Sequence, residues 1–142
     1  MEQSLHHLLR TTQSKCHKDI ILKLATTGLG PGQPKVLEFL AEHAGCEQKD
    51  IALGCDLDPA TVTGILGRLE QAGLIERTKQ AGNRRSLHVF LTSKGLQAEK
   101  EVEDAFHAVD SQGLYDFSKE ETTELFRLLK KVSENLQKGS IH

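Results

Sequence analysis

Two short groups of residues in the middle of the chain carry side chains suited to contacting a nucleic acid. The first contains Thr61 and Thr63, whose hydroxyl and methyl groups can contact base edges and thymine methyl groups. The second is the turn-like stretch 82–85, where Asn83 precedes Arg84 and Arg85. A narrow minor groove attracts arginine because its negative potential is enhanced. Either group alone could be an ordinary solvated surface. Whether both contact a nucleic acid therefore depends on the helices and strands that position them.

A helix-turn-helix is predicted around the two threonines. A short helix is expected from about Glu47 to Leu53, followed by a tight turn. Asp58 is a good N-cap and Pro59 suits the first position of the second helix. That helix has apolar residues at i, i+3, i+4 and i+7, which are Val62, Ile65, Leu66 and Leu69. Its other face is small and polar, and comprises Ala60, Thr61, Thr63, Gly64 and Gly67, with Arg68 able to reach a phosphate.

After Gly73 the helical period gives way to a strand pattern. Residues 74–79 are predicted to be extended, and Leu87, Val89 and Leu91 alternate along a second strand with one buried face. The turn between them makes a two-stranded hairpin with a basic tip. Five basic residues and one acid between positions 76 and 94 give this segment a local charge of +4, although the whole chain has a net charge of −2.

Long amphipathic helices are predicted at both ends of the chain. One should begin near Leu5 and end near Gly28, and Pro34 should open a further helix that stops near Gly45. Thr92 or Ser93 should cap a helix that runs to about residue 109, with a loop around residues 112–113. Ser118 and Glu121 form a capping box for the last helix. The stripes predicted to pair with a second copy of the chain are Leu5, Leu8 and Leu9, and Leu125, Leu128, Leu129, Val132 and Leu136.

Composition narrows the class of protein. The chain has 142 residues, of which 37% are hydrophobic and 27% charged, values typical of a folded protein. It has neither a run of about 20 apolar residues nor a signal-peptide pattern, which predicts a cytoplasmic protein with no membrane partner. Motifs of nucleophilic catalysis, of phosphate-binding loops and of metalloproteases are missing, so no enzyme is predicted. The three cysteines show no CxxC spacing.

The stretch from residue 45 to residue 95 closely resembles the MarR (multiple antibiotic resistance regulator) family of bacterial transcription factors. The residues that carry the resemblance are Gln48, Ile51 and Ala52, Asp58, Val62 and Thr63, Leu69 and Glu70, Gly73 to Ile75, Arg77, Asn83 to Arg85, Leu91 and Thr92, and Lys94 and Gly95. The order of helices along the whole chain also fits. Two positions depart from the family pattern, because Asn83 replaces a usual acid and Gly64 often corresponds to Arg or Lys.

The resemblance implies a mainly α-helical winged helix-turn-helix protein that regulates transcription as a homodimer on a pseudo-palindromic double-stranded DNA operator. It implies dimerisation helices in residues 1–32 and 93–142 and a DNA-binding domain in residues 33–92. The helix with the threonines lies in the major groove, and Arg85 enters the minor groove. The residues expected at the DNA are Gln48, Lys49, Pro59, Ala60, Thr61, Thr63, Gly64, Arg68, Asn83, Arg84 and Arg85.

The resemblance also implies a repressor that is released by an effector. A small organic molecule bound between the first helices and the DNA-binding domain is the favoured effector. Thiol chemistry at Cys16, Cys46 or Cys55 and a metal response remain as alternatives, although neither a cofactor nor a metal site is predicted. A helical module that binds only proteins is a further alternative, but it leaves the basic hairpin unexplained.

Overall fold

The computed structural model describes residues 3–79 and 87–139, which form six helices and three short strands. The helices are α1 (Leu5–Lys23), α2 (Gln33–Glu42), α3 (Gln48–Gly54), α4 (Pro59–Gln71), α5 (Ser93–Gly113) and α6 (Lys119–Gln137). The strands are β1 (Cys46–Glu47), β2 (Ile75–Lys79) and β3 (Leu87–Leu91). The predicted fold class, mainly helical with a small antiparallel sheet, is confirmed. The chain divides after His107 into two compact units.

The core of the first unit forms around the apolar face of α4. Val62, Ile65, Leu66 and Leu69 are all buried, as the helical spacing predicts. They share one cluster with buried residues of the neighbouring elements, which include Val36, Leu37, Leu40, Ile51, Val89 and Val102. Full burial of one such aliphatic side chain stabilises the fold by roughly 1.5–3 kcal/mol. This cluster therefore holds α4 in one rotational setting about its axis.

The sheet has three strands in the order β1-β3-β2, whereas the sequence predicted a two-stranded hairpin. The added strand β1 has only two residues, and Cys46 pairs with Val89 in antiparallel register. A two-residue strand shows no period of its own, so the sequence pattern does not reveal it. The predicted buried face of β3 is also narrower than expected, because Val89 is buried but Leu87 is 41% exposed.

The start of α5 packs closely on the end of α4. The Lys94 ammonium donates to the Ala72 carbonyl at the C-cap of α4, and the Thr92 hydroxyl donates to the Gly73 carbonyl. A Cβ atom added to Gly95 would lie 1.9 Å from the carbonyl oxygen of Leu74. Because that oxygen belongs to the backbone and cannot swing away, position 95 requires glycine.

The second unit contains the end of α5 and all of α6. Helix α5 continues to Gly113, so the prediction that it ends near Val109 and is followed by a loop at residues 112–113 is wrong. The polar residues 110–112 are as suitable for an exposed last turn of a helix as for a loop, so residue type alone does not distinguish these two conformations. The turn comes later, where Asp116 adopts a φ of 63°. The capping box of Ser118 and Glu121 is present at the start of α6, as predicted.

Neither α1 nor α6 buries a residue within the chain. The predicted stripe of α6 leaves Leu128 44%, Leu129 43% and Leu136 68% exposed. On α1, Leu5 is 57% and Leu8 51% exposed. Among the described residues, no helix is long and apolar enough to cross a membrane.

A carboxyl group is buried where α5 faces α2. Glu99 is only 7% exposed. Burial raises the pKa of Glu99 above the usual glutamate value, and the negative charges of Glu103, Glu38 and Glu42 raise it further, while Lys100 lowers it. A carboxyl whose pKa is raised by folding destabilises the folded state at every pH at which that group is ionised.

We expect Glu99→Gln to raise the free energy of unfolding at pH 7 by on the order of 1 kcal/mol, because the amide removes a buried negative charge. The gain should vanish at a pH below the ordinary glutamate pKa, where Glu99 is protonated in both states, grow as the pH rises from that value to the raised pKa, and stay constant above it. Urea unfolding between pH 3.5 and 8 measures it. The control is Glu101→Gln, an exposed position on the same helix; an equal gain in the control would contradict the prediction.

Candidate DNA-binding surface

The turn between α3 and α4 is fixed by local hydrogen bonds. Helix α3 starts with a capping box, in which the Glu47 amide donates to the Asp50 carboxylate at 2.9 Å. At the turn itself Asp56 adopts a φ of 54°, a left-handed conformation that aspartate tolerates better than most residues. The Leu57 amide then donates to the Ala52 carbonyl at 2.9 Å, which closes the turn. The predicted helix-turn-helix is therefore present and well defined.

Asp58 caps α4 and also holds the first threonine of the outward face. Its Oδ1 accepts from the Thr61 amide and its Oδ2 accepts from the Thr61 hydroxyl, both at 2.8 Å. These bonds lower the pKa of Asp58 below the usual aspartate value, the amide of Thr61 contributing most. The sequence predicted the cap but missed the hydroxyl contact, for which the spacing D-x-x-T is the available signal.

The second threonine is held from two directions. The Thr63 hydroxyl donates to the Pro59 carbonyl at 3.0 Å, and its oxygen accepts from Gln48 Nε2 at 2.6 Å. Gln48 and Thr63 are 15 positions apart, so the sequence placed both at the DNA without indicating that they bond to each other. The contact ties the start of α3 to the first turns of α4, and the side chain of Thr63 remains exposed.

Gly64 and Arg68 act as a pair. A Cβ atom built on Gly64 would lie 3.5 Å from one terminal nitrogen of the Arg68 guanidinium and 3.8 Å from the other. The guanidinium of Arg68 therefore lies over Gly64, the position that often corresponds to Arg or Lys in the family that the sequence resembles. Arg68 is exposed there and brings a positive charge to that part of the face.

Two cations of the basic segment are engaged within the protein. Arg77 on β2 forms a bidentate ion pair with Glu70 near the end of α4, with nitrogen–oxygen distances of 2.8 and 3.2 Å. The Glu70 hydrogen bond and charge raise the pKa of Arg77, and the same hydrogen bond lowers the pKa of Glu70. Lys94 is bonded to the Ala72 carbonyl. The local charge of +4 read from the sequence thus overstates the charge available to a ligand.

The other predicted site residues lie as follows. Pro59 and Ala60 are exposed in the first turn of α4, beside the threonines. Lys49 is exposed on α3, and its ammonium lies 3.6 Å from the Glu47 carboxylate. Asn83, Arg84 and Arg85 lie outside the described residues, so their prediction stays untested. The residues that the structure brings together are Gln48, Asp58, Thr61, Thr63, Gly64 and Arg68.

The cysteines are free and differ in burial. Cys16, on α1, is half-buried. Burial raises the pKa of the Cys46 thiol to about 11, with a further contribution from Asp50. Burial also raises the pKa of Cys55, whose thiol donates to the Lys35 carbonyl. At neutral pH Cys46 and Cys55 are therefore protonated and weakly nucleophilic.

An open groove of about 450 Å³ lies between α2 and the end of α3. It is lined by Lys35, Glu38, Phe39, Glu42, Gly54 and Cys55. Within the residues that the structure describes, no three His, Cys, Asp or Glu side chains are grouped so that they could hold a metal ion.

Comparison with known proteins places the chain beside bacterial regulators. A sequence model of the MarR family matches residues 29–87. The chain is 32% identical over 102 residues to the homoprotocatechuate degradative operon repressor of Escherichia coli, an alignment that covers 68% of this chain and 66% of that protein.

Solved structures share the fold. MepR of S. aureus, in complex with DNA, matches with a TM-score of 0.88 and 24% identity over 94% of this chain and 99% of that one. BpsR of Bordetella bronchiseptica, whose DNA binding is regulated by 6-hydroxynicotinic acid, matches with a TM-score of 0.82 and 24% identity over 92% and 94% of the two chains. At this identity the likeness establishes the fold.

We expect Arg77→Met to lower the midpoint of urea unfolding at pH 7, because it removes the ion pair that joins α4 to β2. Since folding lowers the pKa of Glu70, the pair stabilises the fold above the ordinary glutamate pKa and is lost as the pH falls through the lowered value. The deficit of the variant should therefore shrink at acid pH. Lys79→Met, at an exposed position on the same strand, is the control; a pH-independent deficit, or an equal one in the control, would refute the prediction.

Proposed function

The chain belongs to the MarR family of transcriptional regulators, and we propose that it represses transcription by binding a pseudo-palindromic operator as a homodimer. It binds specific sequences in double-stranded DNA. The proposal assigns DNA contact to residues 33–92 and dimerisation to the helices in residues 1–32 and 93–142. Catalysis plays no part in this function.

The single observation that carries the proposal is the two-sided character of α4. One side is held in the core by four aliphatic side chains, while the other presents small residues and ends at the Arg68 guanidinium. A helix with this outward face can approach the floor of the major groove, which admits one α-helix. A helix that only bound other proteins would be expected to expose larger apolar side chains.

Dimerisation is proposed from the two helices that bury nothing within the chain. Helix α6 has 19 residues, and three of the five residues of its apolar stripe, Leu128, Leu129 and Leu136, are exposed. Helix α1, also of 19 residues, exposes Leu5 and Leu8. A second copy of the chain supplies matching stripes, and a twofold dimer also suits an operator with two related half-sites.

A small organic molecule is proposed as the effector that releases the DNA. The DNA binding of BpsR, which shares the fold, is regulated by 6-hydroxynicotinic acid. The repressor from Escherichia coli controls a degradative operon. The protonated state of Cys46 and Cys55 favours this effector over thiol chemistry at those two residues. As chromosomal operators lie in the bacterial cytoplasm, we infer that the protein works there.

We expect the protein to shift the DNA upstream of its own gene in an electrophoretic assay, and the shift to weaken as salt is raised from 50 to 200 mM. Phosphate contacts release counterions, so each lost contact reduces the slope of log K against log salt by roughly 1. Arg68→Ala and Arg85→Ala should each reduce both the affinity and that slope.

The control is Lys119→Ala, which removes an exposed cation at the start of α6. It should bind with the slope of the unaltered protein. If the unaltered protein binds neither this DNA nor random duplexes at low salt, the assignment of function is wrong.

We expect the protein to sediment at twice the chain mass, and Leu129→Glu to sediment as a monomer at the same micromolar concentration, because the carboxylate would be buried in the proposed interface. Lys130→Glu places the same group on the opposite side of α6 and should stay dimeric. Circular dichroism establishes whether each variant remains helical. A helical Leu129→Glu variant that stays dimeric would refute the α6 interface.

A further inference from the structure

We propose that the first turns of α4 read thymine bases through their C5-methyl groups, and that Thr63 is the main residue of this contact. The inference rests on the proposed function, since it assumes that α4 lies in the major groove. It identifies the feature of the operator that the helix recognises, and it follows from where the threonine hydroxyl protons are already directed.

The hydroxyl protons of both outward threonines are used within the protein. The Thr61 hydroxyl donates to the Asp58 carboxylate at 2.8 Å, a charged acceptor that makes the bond strong. The Thr63 hydroxyl donates to the Pro59 carbonyl at 3.0 Å. A hydroxyl has one proton to give. Neither threonine can therefore donate to a base acceptor without breaking an existing bond.

The oxygen of Thr63 also accepts one bond from within the protein. It accepts from Gln48 Nε2 at 2.6 Å while its proton points to Pro59. The hydroxyl therefore has no proton left for a base and keeps one acceptor lone pair, whereas the methyl is wholly available for contact with DNA. Because the χ1 angle of a threonine is set by its hydrogen bonds, the same two bonds hold this methyl in one direction.

The α4 residues on either side of Thr63 add methyl groups and open space rather than donors. Ala60 contributes a methyl, and Gly64 and Gly67 have no side chain. A Cβ on Gly67 would meet nothing within 4 Å, so the helix is open at that point. The cationic donor of α4 is Arg68, which lies one turn beyond Gly64.

Thymine is the base that presents an apolar group in the major groove, namely its C5-methyl. A surface of threonine and alanine methyl groups matches this group, whereas the N7 and O6 acceptors of the purines find no free hydroxyl proton on Thr61 or Thr63. Removing one buried methyl is expected to weaken binding about fourfold.

Deoxyuridine, which lacks the methyl and keeps the base pair, provides the test. A duplex is selected from a random-sequence pool with the full-length protein, and its thymines are then replaced by deoxyuridine one at a time on both strands. Fluorescence anisotropy gives Kd for the unaltered protein and for two variants. Thr63→Ser keeps the hydroxyl and loses the methyl, whereas Thr63→Val keeps the methyl and loses the hydroxyl.

We expect deoxyuridine to weaken binding about fourfold at one or two positions in each half-site and to have no effect elsewhere. Thr63→Val should show the same penalty for deoxyuridine. Thr63→Ser should show none at the contacted position, because deleting the methyl of Thr63 and deleting the methyl of the thymine remove the same contact and are not additive. The corresponding Thr61 variants locate any second contact. Thermal unfolding verifies that each variant is folded.

Specific binding that is unaffected by deoxyuridine at every position would overturn the inference and leave the regulator assignment standing. A penalty that survives in Thr63→Ser and disappears in Thr63→Val would also overturn it, because the hydroxyl would then be the reading group. If no duplex is enriched and binding to random DNA is absent at low salt, the proposed function and this inference fall together.

Discussion

The arrangement of the whole first unit depends on burial of the apolar face of α4. Four aliphatic side chains at helical spacing enter a core shared with α2, α3, α5 and the sheet. Rotating the helix by one residue, about 100°, would expose part of this stripe and bury a threonine, at a cost of several kcal/mol. The rotation of the helix, and therefore the identity of the residues that face outward, is set by the core rather than by the ligand.

The outward face is chemically different from what its composition suggests. Thr61 and Thr63 carry hydroxyl groups, yet their protons are already donated to Asp58 and Pro59, and Gln48 donates to the Thr63 oxygen. The polar groups thus make the surface rigid, and the methyl groups are left for contact with a ligand. The cations divide in the same way. Arg77 and Lys94 are bound to acceptors within the protein, whereas Arg68 remains exposed. The charge counted in a sequence equals the charge available to DNA only after residues with such internal partners are subtracted.

The two helices without a fully buried residue, α1 and α6, connect the fold to its proposed function. A 19-residue amphipathic helix with no fully buried residue gains little from the packing of its own chain, and the proposed dimer supplies the surface that stabilises and positions it. In a regulator of palindromic DNA, the same partner sets the separation of the two recognition helices. The geometry of the dimer then sets the spacing of the operator half-sites that it fits, and a ligand that alters the dimer geometry also alters that spacing.

The sequence by itself determined most of the elements whose signal is local, although α1 ends at Lys23 rather than near Gly28 as predicted. The period of Val62 to Leu69, the Asp58 cap, the Ser118 capping box and the alternation after Gly73 each depend on neighbours a few residues away, and each is present in the structure. The end of α5 was misplaced for the same local reason, because polar residues fit both an exposed helix and a loop.

Only the tertiary structure decided which of the predicted site residues are free to act. The bond from Gln48 to Thr63 spans 15 positions, and the strand β1 pairs with a segment more than 40 residues away. Neither leaves a periodic mark in the sequence, since a long-range hydrogen bond needs one donor and one acceptor rather than a repeated pattern. Residue type therefore predicted which surface faces DNA, and the direction of each hydroxyl proton, which packing sets, determined which groups of that surface are free for contact.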